Sequence, residues 1–482
     1  MLGIGRKRKL KKLMNNAANY KEWLNFALEY DLLDKKSENH IKFKGSINED
    51  NIKNTIKTLK SFRNRADAPK LIDELKEAVY GFFDELTAPE NYFQNTAGYP
   101  PYIVTDFLKT IEESLKFLCY EQIEGYSDQL KLKLFKDYYR NLGKSALLLS
   151  GGGALGIYHL GVVKALFFED LLPDIIGGSS MGAIVGAGVC SRDRNELTDF
   201  LNHPEQIMKK AFRLRNPKRI LDEKALFDSA TLLHHVKSNM KGELTFKEAF
   251  EKTGLALNIS VTPTRIKQKP RILNHITAPN VLISYATVAS CAMPGLYKPS
   301  ILMEKNPKNE IIPYLPSERW IDGTLGDDLP MKRISRLFNV NHYIVSQANP
   351  HVVPFMSMKH NADLRTIGFE LAVSLASHQA QSVVKTLKKR LENKTGGLTA
   401  KHLNTLLSQN YLGDINIHPP FNPILYSKML SNPDEKDLLT YIKLGEKSVW
   451  NKIKLIKDQT LLKRTFHACI KHLERKLEIE NS

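Results

Sequence analysis

An α/β fold with a largely parallel central sheet, flanked by helical N- and C-terminal regions, is the architecture this 482-residue sequence predicts. Three observations carry it. From Ser145 onward, short apolar runs alternate with helical ones, the pattern of a parallel sheet crossed by helices. On either side of that stretch apolar residues recur three and four apart, the helical period. Two of the apolar runs end in glycine-rich turns that enter helices directly. The resulting boundaries are 1–140 for a helical N-terminal domain with a basic tail, 141–353 for the α/β domain and 354–482 for a helical C-terminal region.

The elements follow in order. Six of the seven residues from Arg6 to Lys12 are basic, and Leu2, Ile4, Leu13 and Met14 flank them. That composition suits either an anionic bilayer surface or a solvated tail. Helical periodicity runs from Tyr20 to about Arg140 in YKEWLNFALEYDLL, LIDELKEAVYGFFDEL and IVTDFLKTIEESLKFL, with NTAGYPPY breaking it before the third. Then come ALLLS and a helix from about Ile157, DIIGG and a helix from about Met181, LNISVTP, and HYIVSQ. After Pro354 the helical period returns in LAVSLASHQAQSVVKTLKKRLENK and DEKDLLTYIKLGEKSVWNKIKLI.

Composition narrows the classes. Seventy Lys and Arg against 52 Asp and Glu give a net charge of +18, which favours an anionic partner such as a phospholipid surface or nucleic acid. No RNA-binding or helix-turn-helix signature accompanies that charge, so we expect no nucleic acid. Cys119, Cys190, Cys291 and Cys469 lie far apart without a C-x-x-C pair, against both a zinc site and a disulfide framework. Three uncharged stretches, Ser145 to Val163, Ile175 to Ser191 and Ile276 to Tyr297, are broken by glycine or proline and make poor membrane spans. The N-terminus has a basic region with no apolar signal core behind it, and Leu2 in place of glycine argues against myristoylation. A cytoplasmic protein, peripherally attached to a membrane, is the expectation.

The chemistry centres on the two glycine turns. In ALLLSGGGALGIYHLG, Gly151, Gly153 and Gly156 match G-x-G-x-x-G, a turn that can hold a pyrophosphate or the oxyanion of a cleaving ester. A dinucleotide site needs an acidic residue ending the second strand, but Asp174 precedes its apolar run; a P-loop needs Lys and Ser or Thr where Ile157 and Tyr158 stand. The second turn, GGSSMG, places Gly178, Ser180 and Gly182 as G-x-S-x-G between a strand and a helix, the context of a nucleophile elbow. The alternative is that Ser179 or Ser180 merely caps the helix. A serine nucleophile needs a base. His342 and His351 keep a Ser, acid, His order open, although each sits in a strand or a proline-flanked loop and reads as structural. Asp322, in RWIDGTLGDDLP, is the other candidate, with a hairpin turn as its bland reading; Asp327 and Asp328 are further alternatives, most simply read as solvated loop acids. His159 reads as packed against the sheet. His234 and His235 lack the spacing of a zinc helix.

SGGGALG, GGSSMG and WIDGTLGDDLP in this order resemble the patatin-like phospholipase family. ALLLSGGGALGIYHLGVVKAL, TAPNVLISYATVASCAMPGLYKP and DDLPMKRISRLFNVNHYIVSQANPHVVPF are similar to the branch that holds the triacylglycerol lipases of yeast lipid droplets and plant seeds, as are NYKEWLNFALEYDLLD and LSNPDEKDLLTYIKLGEKSVWNKI. The resemblance implies a three-layer patatin-like fold and a Ser–Asp dyad in which Ser180 is the nucleophile and Asp322 the base. It implies an oxyanion hole at Gly151, Gly152 and Gly153, with no metal and no cofactor. The implied activity is hydrolysis of fatty-acyl esters of phospholipid or triacylglycerol through an acyl-enzyme, at an anionic membrane or lipid-droplet surface. Acyl transfer from the same intermediate and a silent membrane adaptor are the alternatives. Two positions depart from the family pattern: Leu155, where Arg or Lys is frequent, and Thr324, where a small residue is common.

Overall fold

The computed structural model describes residues 2–33, 48–92, 98–207, 211–265, 268–349, 352–353, 412–420 and 422–480. They form two compact units, one of residues 1–144 with 449–482 and one of residues 145–448.

The first unit is built of helices. Leu2–Asn16 carries the basic run and packs on Tyr20–Leu32, burying Leu10 and pairing Arg6 with Glu29 at 2.5 Å. Glu49–Asn64, Ala68–Ala78, Tyr102–Tyr120 and Asp128–Asn141 follow, with Asn48, Asp67 and Ser127 as N-caps that accept backbone N–H bonds. The C-terminal helix Leu461–Glu480 returns to lie along Tyr102–Tyr120 and Asp128–Asn141, where Phe466 meets Phe135 at a ring separation of 5.2 Å. The region expected as one C-terminal unit, 354–482, is therefore divided. Its last helices close the helical core, whereas Ile415–Ile417 joins the sheet of the other unit. The helix expected over LAVSLASHQAQSVVKTLKKRLENK lies outside the described residues.

The second unit carries the sheet. Its strands are β1 (Lys144–Leu149), β2 (Ile175–Gly178), β3 (Ala256–Pro263), β4 (Arg271–Leu273), β7 (Trp320–Asp322), β8 (Val340–Ser346) and β9 (Ile415–Ile417), while β5 (Leu302–Lys305) and β6 (Ile311–Tyr314) form a separate hairpin. The order is β4-β3-β2-β1-β8-β9, with β7 also pairing with β3. β1, β2 and β3 are mutually parallel, as are β8 and β9; β4 and β7 run antiparallel to β3. The apolar runs that predicted strands are buried: Ala146 and Leu148 of β1, Ile175, Ala256 and Val345 share one core face with Ile334. Helices cover the sheet, as its continuous apolar strands require.

Register positions the chemistry. Leu149 pairs with Gly178, so the residues after β1 and β2 leave the sheet side by side at its carboxyl edge, where open α/β sheets bind ligands. Asp322, opposite Val261 two residues beyond the Gly178–Ile259 rung, ends β7 at the same edge.

Candidate active site

The turn after β2 is a strained elbow. Ser180 sits at φ +50°, ψ −120°, a region L-residues rarely enter, and the helix Met181–Cys190 begins directly after it. Both flanking glycines are sterically required. A Cβ on Gly178 would stand 2.5 Å from the Gly182 carbonyl carbon, and one on Gly182 would strike the Leu149 carbonyl. Ser180 holds the N-cap position, yet its hydroxyl caps nothing. The capping alternative is thereby removed for Ser180. Its own N–H donates to Ser290 Oγ at 3.1 Å, which fixes the turn from behind.

Asp322 faces that hydroxyl from the end of β7. The carboxyl is 1% exposed; Oδ1 accepts the Thr324 N–H at 2.8 Å, and Oδ2 has no hydrogen-bond partner among the described residues. Burial pushes its pKa up to about 7, against the lowering influence of Thr324 and of the nearby Ser180 side chain. The Ser180 side chain is near enough to act on the Asp322 carboxyl, although Oδ2 accepts no hydrogen bond from the described residues. The hairpin reading of Asp322-Gly323 does not hold: Gly323 has helical φ and ψ and opens the short helix Thr324–Asp327.

Gly151, Gly152, Gly153, Ser180, Asp322 and Asn349 line one cavity of about 210 Å³, with apolar walls from Met181, Phe212, Leu296 and Met429. The three glycines are not equivalent. The Gly151 N–H already donates to Asp328 Oδ1 at 3.2 Å, which corrects its expected role as an oxyanion donor. The N–H groups of Gly152 and Gly153 have no acceptor among the described residues, and the Ala154 N–H is held by the Met429 carbonyl at 2.7 Å. Gly153 has φ +55°, and a side chain there would strike that same Met429 carbonyl.

The described histidines near the cavity are not placed as bases. His159 is fully buried behind the glycine turn, bonded to Ser346 Oγ at 2.7 Å and to the Ser150 carbonyl at 2.9 Å, and burial lowers its pKa to about 4. Its Nε2 therefore donates to Ser150 and its Nδ1 accepts from Ser346. His342 bonds Ser145 Oγ at 3.0 Å, at the opposite end of β1; His351 lies outside the described residues. Cys291 lines the cavity, but burial raises its thiol pKa well above the ordinary value.

Residues 147–333 match the model of the family described as patatin-like phospholipase, and residues 3–140 match a domain of unknown function, DUF3336. Triacylglycerol lipase ptl3 of Schizosaccharomyces pombe is 30% identical, the match covering 94% of this chain and 95% of that protein. The chain belongs to the patatin-like phospholipase family. Triacylglycerol lipase SDP1L of Arabidopsis thaliana is 31% identical over 98% of this patatin-like chain, and triacylglycerol lipase 4 of Saccharomyces cerevisiae 33% over 79%. The chain spans 59% and 44% of those two relatives.

One site residue of this patatin-like protein escaped the sequence. Asp328 is completely buried, not a solvated loop acid, and gathers three donors: the Gly151 N–H, the Ser179 hydroxyl and the Asn349 amide at 2.6 Å. Burial raises its pKa to about 6, and its charge in turn raises that of Asp322. It thus ties the glycine turn to the residue preceding Ser180. Nothing in DGTLGDDLP distinguishes it from Asp327, which is half-buried beside Arg333. No group of His, Cys, Asp and Glu among the described residues could hold a metal ion.

Proposed function

We propose that this patatin-like chain is a serine lipid acyl hydrolase whose substrate is a long-chain fatty-acyl ester. Ser180 attacks the ester carbonyl as Asp322 takes its proton, and the N–H groups of Gly152 and Gly153 receive the oxyanion. Asp322 then returns the proton to the departing alcohol, leaving an acyl-Ser180, and a water activated by Asp322 releases the fatty acid. The carrying observation is the pairing of a strained, uncapped Ser180 hydroxyl with a buried Asp322 carboxyl whose pKa is near 7. A base poised near neutrality is effective at removing a proton at pH 7. Asp328 acts as a positioning residue, holding Gly151 and Ser179 so that the donors behind them stay aimed.

Triacylglycerol is the substrate the relatives' names favour, and the buried, uncharged Leu155 in place of the frequent Arg or Lys agrees with a neutral ester. Attachment to a lipid surface rests on the net charge of +18 and on the basic helix Leu2–Asn16; no described helix is long and apolar enough to cross a membrane. We assign the helical unit, residues 1–144 with 449–482, to the surface and the sheet unit, residues 145–448, to the chemistry.

The test is fatty-acid release from emulsified trioleoylglycerol and from phosphatidylcholine vesicles by wild type, Ser180→Ala and Asp322→Asn. Release from the triacylglycerol by wild type, abolished in Ser180→Ala and reduced by roughly a hundredfold or more in Asp322→Asn, is expected. Undiminished release by Ser180→Ala ends the proposal, and release from phosphatidylcholine alone replaces the triacylglycerol assignment with a phospholipase.

A further inference from the structure

We propose that a second apolar recess, running along the helix Met181–Cys190, holds the hydrocarbon tail of the acyl group bound to Ser180, and that Gly188 at its far end sets the chain length accepted. This inference rests on the hydrolase reading of Ser180.

The recess is a narrow one of about 50 Å³, and its lining is almost wholly apolar. Met181, Ile184, Val185 and Gly188 form one wall of it. These positions are spaced three and four apart and therefore share one face of the helix that starts at the nucleophile. The recess thus follows the helix away from Ser180 over eight residues, ~12 Å at the rise of an α-helix. It adjoins the Ser180 cavity, since Met181, Ile184, Ala211 and Phe212 line both. An acyl carbonyl seated at Ser180 has this apolar path beside it for its tail.

The far end accepts hydrocarbon and nothing charged. His235 and Asn239 close it, and each is less than a tenth exposed; burial lowers the His235 pKa to about 4, so the ring is neutral at pH 7. No Lys or Arg is among the described residues that line the recess, so a phosphate or carboxylate inside it would meet no cation directly. The end is also stiff. Arg192 donates to the carbonyls of Gly188 at 2.6 Å and Asn239 at 2.9 Å while its guanidinium lies 3.8 Å from the Phe200 ring centre, and Phe200 lines the recess. A braced end wall discriminates chain length, whereas a soft one would yield.

Gly188 gives a mild way to test this. A Cβ added there finds only ordinary contacts, 3.4 Å to the Asn239 carbonyl oxygen and 3.7 Å to Phe200, so Gly188→Ala fits the fold and removes space at the end. Val185→Phe fills the recess halfway. The experiment compares kcat/KM on p-nitrophenyl palmitate and p-nitrophenyl butyrate for wild type and both variants, so that the ratio of the two esters controls for folding within each protein. A palmitate-to-butyrate ratio lowered by about tenfold or more in Val185→Phe, with a smaller loss in Gly188→Ala, is expected. Ratios equal to wild type in both variants overturn the recess as the acyl site. Wild-type protein that turns over neither ester overturns the hydrolase reading beneath it, a result distinct from an unchanged ratio.

Discussion

Asp322 and Asp328 are buried carboxylates within one short stretch, and their division of labour sets the pH behaviour expected of the site. Asp322 must be ionised to act as a base, and its pKa is raised to about 7 by burial. kcat/KM should therefore fall as pH drops below about 7 and level off above it, which a pH–rate profile of the free enzyme checks. Asp328→Asn keeps the shape but replaces a charged acceptor of three donors. A bond to a charged group is worth about 1.5–3 kcal/mol, so kcat should fall by roughly tenfold or more with KM little changed. Removing the Asp328 charge also favours ionised Asp322, so the profile's midpoint should move to lower pH, a shift that a purely structural role would not produce. Stability has the opposite pH trend. A carboxyl whose folded pKa lies above its unfolded value stabilises most below the unfolded value, near 4, and that stability is lost as pH rises toward 7. Asp322→Asn should therefore melt at a higher temperature than wild type at pH 8, with the gain vanishing by pH 4. Ser180 could be singled out because it stands between glycines in a spaced motif, and Asp322 because the three motifs together resemble a known family. Asp328 was not, because burial of one acid in a polar-looking run depends on the distant partners Gly151, Ser179 and Asn349.

At the scale of elements, the elbow is where packing and chemistry meet. Gly182 lies so close to the Leu149 carbonyl that any side chain must push the helix Met181–Cys190 away from β1. Overpacking of this kind costs about 1–3 kcal/mol, so Gly182→Ala should lower the melting midpoint by roughly 5 °C and leave Ser180 displaced from Asp322. Differential scanning fluorimetry with an activity assay on the same samples checks both. The strands that flank this elbow were readable because β1 and β2 carry short apolar runs and β3 alternates apolar residues with the small polar Asn258, Ser260 and Thr262, all of them buried. β4 and β9 were not, since three residues cannot display a period, and in β6 Ile311 and Ile312 remain exposed. The Asp322-Gly323 pair misleads for a similar reason: the dipeptide favours a hairpin when its glycine takes positive φ, and here φ is −63°.

Over the whole molecule, charge and chain order carry the remaining expectations. A net charge of +18 with six basic residues in one N-terminal helix should draw the protein to vesicles containing phosphatidylserine, with binding weakened by added salt. Flotation assays at two salt concentrations, with wild type and with Arg6, Lys7, Arg8, Lys9, Lys11 and Lys12 changed to glutamine, measure this; equal flotation of the two proteins would remove the helix from the account. Sequence order alone hid the division of the C-terminal region, because the Leu461–Glu480 helix finds its apolar partners more than 300 residues back in the chain, Phe135 among them. The central claim is that Ser180 is a nucleophile activated by Asp322. Its most direct measurement is the rate and position of covalent labelling by a fluorophosphonate, read by peptide mass spectrometry on wild type and Asp322→Asn. One adduct is expected, on Ser180, formed at least about a hundredfold more slowly in Asp322→Asn; an adduct on another residue, or equal rates in the two proteins, would show that Ser180 is not a nucleophile activated by Asp322.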